Sequence, residues 1–157
     1  MAKSDIYKIM EQELHSLLTE ELPLSARLAT FVATIYQKLP GVSWVGFYLS
    51  EGTSRDLWVS HYQGPVACLY IPKGKGVCGT AFEQKRTLVV PDVHQFPGHI
   101  ACDSKSQSEI VLPLPAFAPV KGVLDLDSHS LSNFDDEDAK KLESLLELLF
   151  KVSHPTC

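Results

Sequence analysis

Apolar side chains near the N-terminus recur at the spacing of one face of an α-helix. The first helix is predicted over residues 4–20, with a stripe of Ile6, Ile9, Met10, Leu14, Leu17 and Leu18. The second is predicted over residues 24–38, with a stripe of Leu28, Phe31, Val32, Ile35 and Leu39, and Pro40 and Gly41 end it. Both stripes are expected to face the core or a second subunit.

From Trp44 onward the apolar pattern changes to that of β-strands. The strands are predicted at residues 44–49, 56–62, 67–71, 87–90, 110–117 and 120–127, with Cys68 inside the third. A glycine-rich segment, residues 72–79, leads into a short helix over residues 77–84. It lacks the residue order of a phosphate-binding P-loop, so it is weak evidence for a phosphate site.

The C-terminal pattern is again helical. A helix is predicted over residues 135–152, with Asp135 as its N-cap and three acidic residues in its first turn. Two helices, a run of strands and a terminal helix indicate an α+β fold with a central antiparallel sheet. We expect a single domain over residues 1–157, with N-terminal helices in 1–40, sheet and site loops in 44–127, and the C-terminal helix in 135–152.

The long polar segment between two predicted strands, residues 91–108, is the first candidate for function. Segments of this length inside a small domain are usually functional or disordered, and we interpret this one as a lid. It contains His94, His99 and Cys102, and Glu109 follows it directly. Taken alone, Cys102 is equally consistent with a surface thiol in a connector and with a nucleophile on a loop.

Two acidic residues in the last predicted strand are the second candidate. Because side chains alternate along a strand, Leu124 and Leu126 point into the core, while Asp125 and Asp127 share the opposite face with Val123. The two acids either face solvent or line a polar pocket, and the strand itself leaves both alternatives open.

Composition and charge exclude several classes of function. The chain of 157 residues is 45% hydrophobic, 21% charged and has a formal net charge of −5. Nucleic-acid binders and proteins that bind anionic membranes need a basic face, which this chain lacks. No apolar run approaches the roughly 18 residues of a membrane span, and no secretion signal is evident. We expect a cytoplasmic protein.

The cysteines lie at positions 68, 78, 102 and 157, without the Cys-x-x-Cys spacing of a thioredoxin-type site or a zinc ribbon. His94, His99 and Cys102 could bind zinc in principle, but a convincing fourth ligand is missing. We therefore predict no metal site.

Four motifs together carry a family resemblance: WVGFY at 44–48, GVCGTA at 76–81, the segment 92–114 containing IACD and SEIVLP, and GVLDLDS at 122–128. They resemble the free methionine-(R)-sulfoxide reductases, which are stand-alone GAF-domain enzymes. The resemblance implies a GAF fold and reduction of free L-methionine-(R)-sulfoxide. It also implies restriction to the free amino acid, no cofactor, and thioredoxin as the external dithiol.

The resemblance also implies roles for individual residues. Cys102 matches the catalytic cysteine and Cys68 the resolving cysteine, while Cys78 matches an accessory thiol. Glu109, Asp125 and Asp127 match substrate-site acids, and Trp44 matches the aromatic residue that packs against the substrate methyl group. No role follows for Cys157, which we expect to be a thiol of a frayed end. GAF domains often pair through terminal helices, so a homodimer is expected.

Sulfoxide reduction needs a sulfur nucleophile and a proton for the departing oxygen. Three nearby carboxylates should raise the pKa of the thiol and of one another, so that one remains protonated. We predict that Glu109 donates the proton, with Asp125 and Asp127 holding the substrate ammonium or a proton network. The alternative is a ligand-sensing or redox-sensing GAF module without turnover, which would not require the three acids as a set.

Overall fold

The computed structural model describes residues 1–151, which form four α-helices, one short 3₁₀ helix and six β-strands. The helices are α1 (Lys3–Leu17), α2 (Leu24–Lys38), α3 (Gly76–Gln84) and α4 (Asp136–Phe150). The strands are β1 (Val42–Ser50), β2 (Leu57–Gln63), β3 (Tyr70–Ile71), β4 (Leu88–Val90), β5 (Ser108–Pro113) and β6 (Lys121–Ser128).

The strands form one sheet in the order β3-β2-β1-β6-β5-β4, and every neighbouring pair is antiparallel. The predicted α+β fold with a central antiparallel sheet flanked by N-terminal and C-terminal helices is confirmed. β1 and β6, the longest pair in register, lie at the centre of the sheet. Side chains on these two strands are therefore covered from both sides and placed most rigidly.

The two faces of the sheet have different partners. α1, α2 and α4 pack on one face, where their apolar stripes meet Val45 and Phe47 of β1, Leu124 and Leu126 of β6, and corresponding residues of β5. The other face carries a smaller apolar cluster around α3. It also presents Asp125 and Asp127, because strand side chains alternate. The predicted orientation of β6 is confirmed.

Several predicted boundaries are wrong. β5 ends at Pro113 rather than at residue 117, because Pro113 and Pro115 have no amide to donate and the chain turns there. α1 ends at Leu17 rather than at residue 20. The segment 91–108, predicted to be one continuous loop, contains a 3₁₀ helix, Val93–Gln95, whose Val93 is buried.

The prediction that placed Cys68 inside a strand is also wrong. β3 is limited to Tyr70–Ile71, and Cys68 lies in the connection before it. The carbonyl of Cys68 accepts a hydrogen bond from the Tyr48 hydroxyl at 2.9 Å instead of from a strand amide. This contact holds Cys68 over the face of the sheet that carries the acids.

The N-cap of α4 is confirmed as Asp135, whose side chain accepts from the amide of Asp138 while Asp138 accepts from the amide of Asp135. The predicted end of this helix at residue 152, and the thiol of Cys157, lie outside the described residues. Within residues 1–151, no helix is both long enough and apolar enough to cross a lipid bilayer.

Candidate active site

A cavity of about 240 Å³ opens on the face of the sheet that carries α3. β1, β5 and β6 form its floor, the start of α3 forms one wall, and two connections form its rim. The residues from the sequence motifs that line it are Trp44, Cys78, Cys102, Glu109, Asp125 and Asp127. Cys68, the remaining predicted site residue, is bonded to Cys102 at the rim.

The strand register brings the three acids together. Asp127 of β6 is paired with Glu109 of β5 on one side and with Trp44 of β1 on the other. Asp125 lies two residues earlier on β6, so its side chain points to the same face. Glu109 and Asp125 are each only 5% exposed, which excludes the interpretation that these acids simply face solvent.

Burial raises the pKa of each acid in this cluster, and repulsion raises the pKa of Glu109 and Asp127 further. Burial raises the pKa of Asp125 to about 6, with Glu109 and Cys78 acting as donors that limit the rise. Burial and the charges of Asp125 and Asp127 raise the pKa of Glu109 well above its usual range. Burial and the charges of Asp125 and Asp103 raise the pKa of Asp127 as well. Since like charges this close do not all ionise, protons are held in the cluster near neutral pH.

The thiol in contact with these acids is that of Cys78. Its Sγ lies 4.0 Å from Oε1 of Glu109, and Cys78 is buried and unbonded. Burial, followed by the charges of Asp125 and Glu109, raises the pKa of Cys78 well above its usual value. The electrostatic argument made for Cys102 therefore applies most directly to Cys78, which is held as a neutral thiol.

Cys102 is joined to Cys68 by a disulfide with a Cα–Cα distance of 5.2 Å. Both cysteines are partly exposed, in contrast to Cys78. The disulfide joins two cysteines 34 residues apart in the sequence. It links the connection before β3 to the segment before β5. It also excludes the considered zinc trio in this state, because the sulfur of Cys102 is bonded to Cys68 and His94 is exposed.

One group of possible metal ligands is present within residues 1–151: Cys78, Glu109 and Asp125, whose ligand atoms lie within 4.8 Å of one another. A metal ion would need these groups deprotonated, whereas burial raises the pKa of all three. Protons therefore compete strongly with any cation at this position.

Aromatic side chains form a wall of the cavity beside the acids, since Trp44 is the strand partner of Asp127. The ring of Trp44 stacks between those of Tyr48 and Tyr62, with centroids at 5.7 and 5.4 Å, and its Nε1 donates to the carbonyl of Pro65 at 3.0 Å. Gly46 makes this stack possible, because a Cβ there would lie 2.5 Å from both Trp44 and Tyr62. The wall is rigid and apolar, which suits an apolar group of a small ligand.

Sequence reasoning missed three contributors to the site. Tyr48 anchors Cys68 through its hydroxyl. The Nε2 atom of His99 lies 3.7 Å from Oε2 of Glu109, and burial lowers the pKa of His99. Ser106 lines the cavity with a buried hydroxyl that has no hydrogen-bond partner within the described residues. Nothing in the local sequence distinguishes Ser106 from the serines near it. His99 was considered in the sequence only as a zinc ligand, not as a neighbour of Glu109.

The segment that carries Cys102 is anchored by its own polar contacts. Oδ2 of Asp103 lies 2.9 Å from Nε2 of His129, and Oδ1 accepts from the amide of Lys105. The Lys105 amide and His129 lower the pKa of Asp103. These contacts fix the residue after Cys102 to the end of β6, and therefore fix the rim relative to the acids.

Comparison with known proteins identifies the family of the chain. The GAF domain family model matches residues 23–149. The free methionine-R-sulfoxide reductase of Escherichia coli is 42% identical, covering 97% of this chain and 91% of that protein. The chain belongs to the free methionine-R-sulfoxide reductase family of GAF domains.

Other relatives extend this result. GAF domain-containing protein A of Dictyostelium discoideum is 47% identical, covering 94% of this chain and 92% of that protein. The structure of the free methionine-R-sulfoxide reductase of Neisseria meningitidis in complex with its substrate matches with a TM-score of 0.90. It is 41% identical and covers 97% of this chain and 90% of that one. The predicted family and the predicted GAF fold are both confirmed.

Proposed function

We propose that this protein reduces free L-methionine-(R)-sulfoxide to methionine. The observation that carries the proposal is the disulfide between Cys68 and Cys102 at the rim of a cavity floored by three acids, of which Glu109 and Asp125 are buried. Membership of the reductase family supports the same substrate. A cavity of about 240 Å³ suits a single amino acid, since drug-sized ligands occupy pockets of about 300 Å³ or more.

In the proposed first step, the thiolate of Cys102 attacks the sulfur of the sulfoxide. The protonated oxygen then bonds to the sulfur of Cys102, while the new S–S bond and the S–O bond of the substrate break. Methionine leaves, and Cys102 carries the oxygen as a sulfenic acid. Glu109 supplies the proton that the departing oxygen needs, because its raised pKa keeps it protonated near neutral pH. Asp125 and Asp127 hold the substrate ammonium or share the proton network with Glu109.

In the second step, the thiol of Cys68 attacks the sulfenic sulfur of Cys102, forming the disulfide and releasing water. The Cα–Cα distance of 5.2 Å supports this step, because it lies within the usual range for cysteines that form a disulfide. An external dithiol, for which we propose thioredoxin, then reduces the disulfide by exchange. The cycle consumes one sulfoxide and one dithiol, and yields methionine, water and one disulfide.

The aromatic wall and the small opening account for selectivity in this proposal. Trp44 packs against the methyl group of the sulfoxide while Glu109 protonates its oxygen, so one epimer at sulfur fits. Cys78 acts as an accessory thiol that keeps Glu109 and Asp125 surrounded by donors. A homodimer stays a prediction, supported by the exposed apolar residues Ile9 and Leu17 on α1 and Tyr36 on α2.

A redox-sensing GAF module is the second candidate, because a reversible disulfide would also suit a sensor. The buried acids favour the enzyme. Burying Glu109 and Asp125 beside a third acid destabilises the folded state, and a sensor that only makes and breaks a disulfide gains nothing from it. Turnover separates the two candidates.

The test is consumption of NADPH in a thioredoxin-coupled assay with separated R and S epimers of free methionine sulfoxide. Wild type should reduce the R epimer alone. Cys102→Ser should lose turnover completely. Cys68→Ser should lose turnover with thioredoxin but retain one oxidation event per chain, detected as a sulfenic acid on Cys102.

The matched control for these variants is Cys78→Ser, which changes a third thiol in the same cavity without touching the disulfide. This variant should still reduce the R epimer and not the S epimer. Absence of turnover of both epimers by wild type, with a working coupling system, would contradict the proposed reaction and favour the sensor.

A further inference from the structure

The two sulfurs of the disulfide lie in surroundings of opposite character. Cys68 lies within residues 62–72, a stretch without a single charged side chain. Beside it, Val66 and Leu69 are 78% and 62% exposed, and the exposed rings of Tyr70 and Trp58 pack together at 5.6 Å. We call Trp58, Val66, Leu69 and Tyr70 the apolar patch.

The surroundings of Cys102 are polar and internally engaged. Asp103 follows it directly and contacts His129, Ser104 and Lys105 are exposed, and the buried Ser106 faces the cavity. A protein that approached this sulfur would have to displace the Asp103 contacts and desolvate charged groups. The approach to Cys68 meets no charged side chain of residues 62–72, and Asp56, beside Tyr70, lies at the margin of this surface.

We propose that the apolar patch is the docking surface of a protein dithiol that attacks the Sγ atom of Cys68 rather than that of Cys102. This inference rests on the proposed function, since only turnover regenerates the disulfide continually. Displacement at sulfur occurs in line with the bond that breaks. An attacking thiolate therefore reaches Cys68 from the side away from Cys102.

The exchange takes place in two displacements at sulfur. A thiolate of the partner bonds to Sγ of Cys68, the Cys68–Cys102 bond breaks, and Cys102 leaves as a thiolate. The second thiol of the partner then attacks its own first sulfur, which releases Cys68 and leaves the partner oxidised. Two electrons pass from the partner dithiol to the disulfide, and Cys102 is returned in the form that attacks the next sulfoxide.

The patch has the composition of an interface core. Charged residues are depleted from such cores, whereas tyrosine and tryptophan are enriched and carry much of the binding energy. The patch also borders β3, the short edge strand of the sheet. Among residues 1–151, no backbone acceptor receives the amides of Val66, Ala67 or Cys68, so these amides are free to donate to an extended segment of a partner.

A second copy of this chain is the competing occupant of the patch. The exposed apolar residues on α1, Ile9 and Leu17, belong to a helix that packs on the other face of the sheet. A dimer formed through α1 therefore leaves the apolar patch open. A dimer formed through the patch would block Cys68, which the experiment below detects.

The test compares Leu69→Glu with wild type, using two reductants for the same reaction. Leu69 does not line the cavity, so turnover with the small dithiol dithiothreitol should stay within about twofold of wild type. Turnover driven by thioredoxin should fall about tenfold in kcat/KM for thioredoxin, because a carboxylate would be buried against the partner.

Leu131→Glu is the matched control. The substitution is identical and Leu131 is 55% exposed, but it lies beside Leu39 and Phe134, which belong to the core on the helical face. Its turnover should match wild type with both reductants. An equal loss with both reductants for Leu69→Glu, or no loss with thioredoxin, would overturn the docking surface.

Sedimentation of wild type and Leu69→Glu measures the oligomeric state, and so tests whether a second copy of this chain occupies the apolar patch. An unchanged oligomeric state supports the proposal, whereas dissociation of a wild-type oligomer by Leu69→Glu would assign the patch to a second copy. Absence of turnover with dithiothreitol in wild type would instead refute the proposed function, and the docking surface with it.

The attacked sulfur can be identified directly. A thioredoxin whose second active-site cysteine is serine cannot complete the exchange and stays bound as a mixed disulfide. Peptide mass spectrometry of the trapped wild-type complex should locate the bond at Cys68. A bond at Cys102 would overturn the inference.

Discussion

Glu109 is the residue in which burial, charge and position combine most directly. It is 5% exposed, it is paired across the sheet with Asp127, and it contacts the thiol of Cys78 and the ring of His99. Its burial and the charges of Asp125 and Asp127 oppose its ionisation. A carboxylic acid held protonated beside a partly exposed cysteine is suited to protonate a leaving oxygen.

Glu109→Gln should lower kcat by about a hundredfold or more while changing KM little. Glutamine keeps the shape and can donate a hydrogen bond, but it cannot transfer a proton, and general acid catalysis typically contributes at least about a hundredfold. Initial rates with the R epimer over a range of substrate concentrations measure both parameters.

Glu143→Gln is the control for this prediction, because Glu143 is exposed on α4 and bonds to Thr87 away from the cavity. It should retain wild-type kinetics. A Glu109→Gln variant with unchanged kcat would show that the proton comes from another group of the cluster.

At the level of elements, one contact ties the two ends of the described chain together. The Tyr7 hydroxyl of α1 donates to Oδ1 of Asp138 in α4 at 2.7 Å, and Lys3 of α1 reaches Oδ2 of the same residue at 2.7 Å. Asp138 is fully buried and also completes the capping box of α4. The carboxylate therefore couples helix initiation in α4 to the docking of α1.

Tyr7→Phe should lower the free energy of unfolding by about 1.5–3 kcal/mol, the typical value of a hydrogen bond to a charged group. Tyr7 lies on the helical face of the sheet, so kcat should stay at the wild-type value. Urea denaturation followed by circular dichroism measures the first quantity. Tyr36→Phe, which removes the hydroxyl of a tyrosine 38% exposed on α2, should be neutral.

A result in which both variants are equally neutral would mean that the Tyr7 hydroxyl adds nothing to the docking of α1, which the Lys3–Asp138 ion pair and the apolar contacts would then maintain. It would also mean that the capping box of α4 does not need the Tyr7 contact, since the amide contacts of Asp135 and Asp138 are retained in both variants.

At the scale of the whole molecule, the acid cluster makes the folding equilibrium depend on pH. Asp125 has a pKa of about 6 in the folded protein against an ordinary value of 3.8. At a pH below 3.8, the carboxyl is neutral in both the folded and the unfolded protein, so its burial carries no cost from a charge. As pH rises toward 6, the unfolded chain ionises first, so the folded state loses stability.

The unfolding free energy of wild type minus that of Asp125→Asn should therefore decrease by at least about 2.4 kcal/mol between pH 4 and pH 7. Taking the difference removes groups that Asp125 does not influence, such as His99, whose lowered pKa acts in the opposite direction. The charge of Asp125 raises the pKa of Glu109 and Asp127, so its removal from these two acids adds to the decrease. Urea denaturation at four pH values, with the disulfide intact, measures it. A difference independent of pH would contradict a buried Asp125 with a raised pKa.

The amino-acid sequence by itself determined most of the fold. The apolar stripes of α1, α2 and α4 and the alternation in β6 depend on periodicity, which is local and survives in any context. The N-cap at Asp135 is equally local, because the residue bonds to an amide three positions away. The motifs around Cys102, Glu109 and Asp125 also sufficed to identify the family, since their order and spacing lie along the chain.

Only the tertiary structure decided which groups meet. Cys68 precedes β3 rather than lying within it because Tyr48, twenty residues earlier, binds its carbonyl. The thiol beside the acids is Cys78 because α3 packs over β5, and Ser106 and His99 face the cavity because their segment folds back across it. These contacts join residues far apart in sequence, and the pairing of strands and the packing of helices that create them leave no periodic signal in the chain.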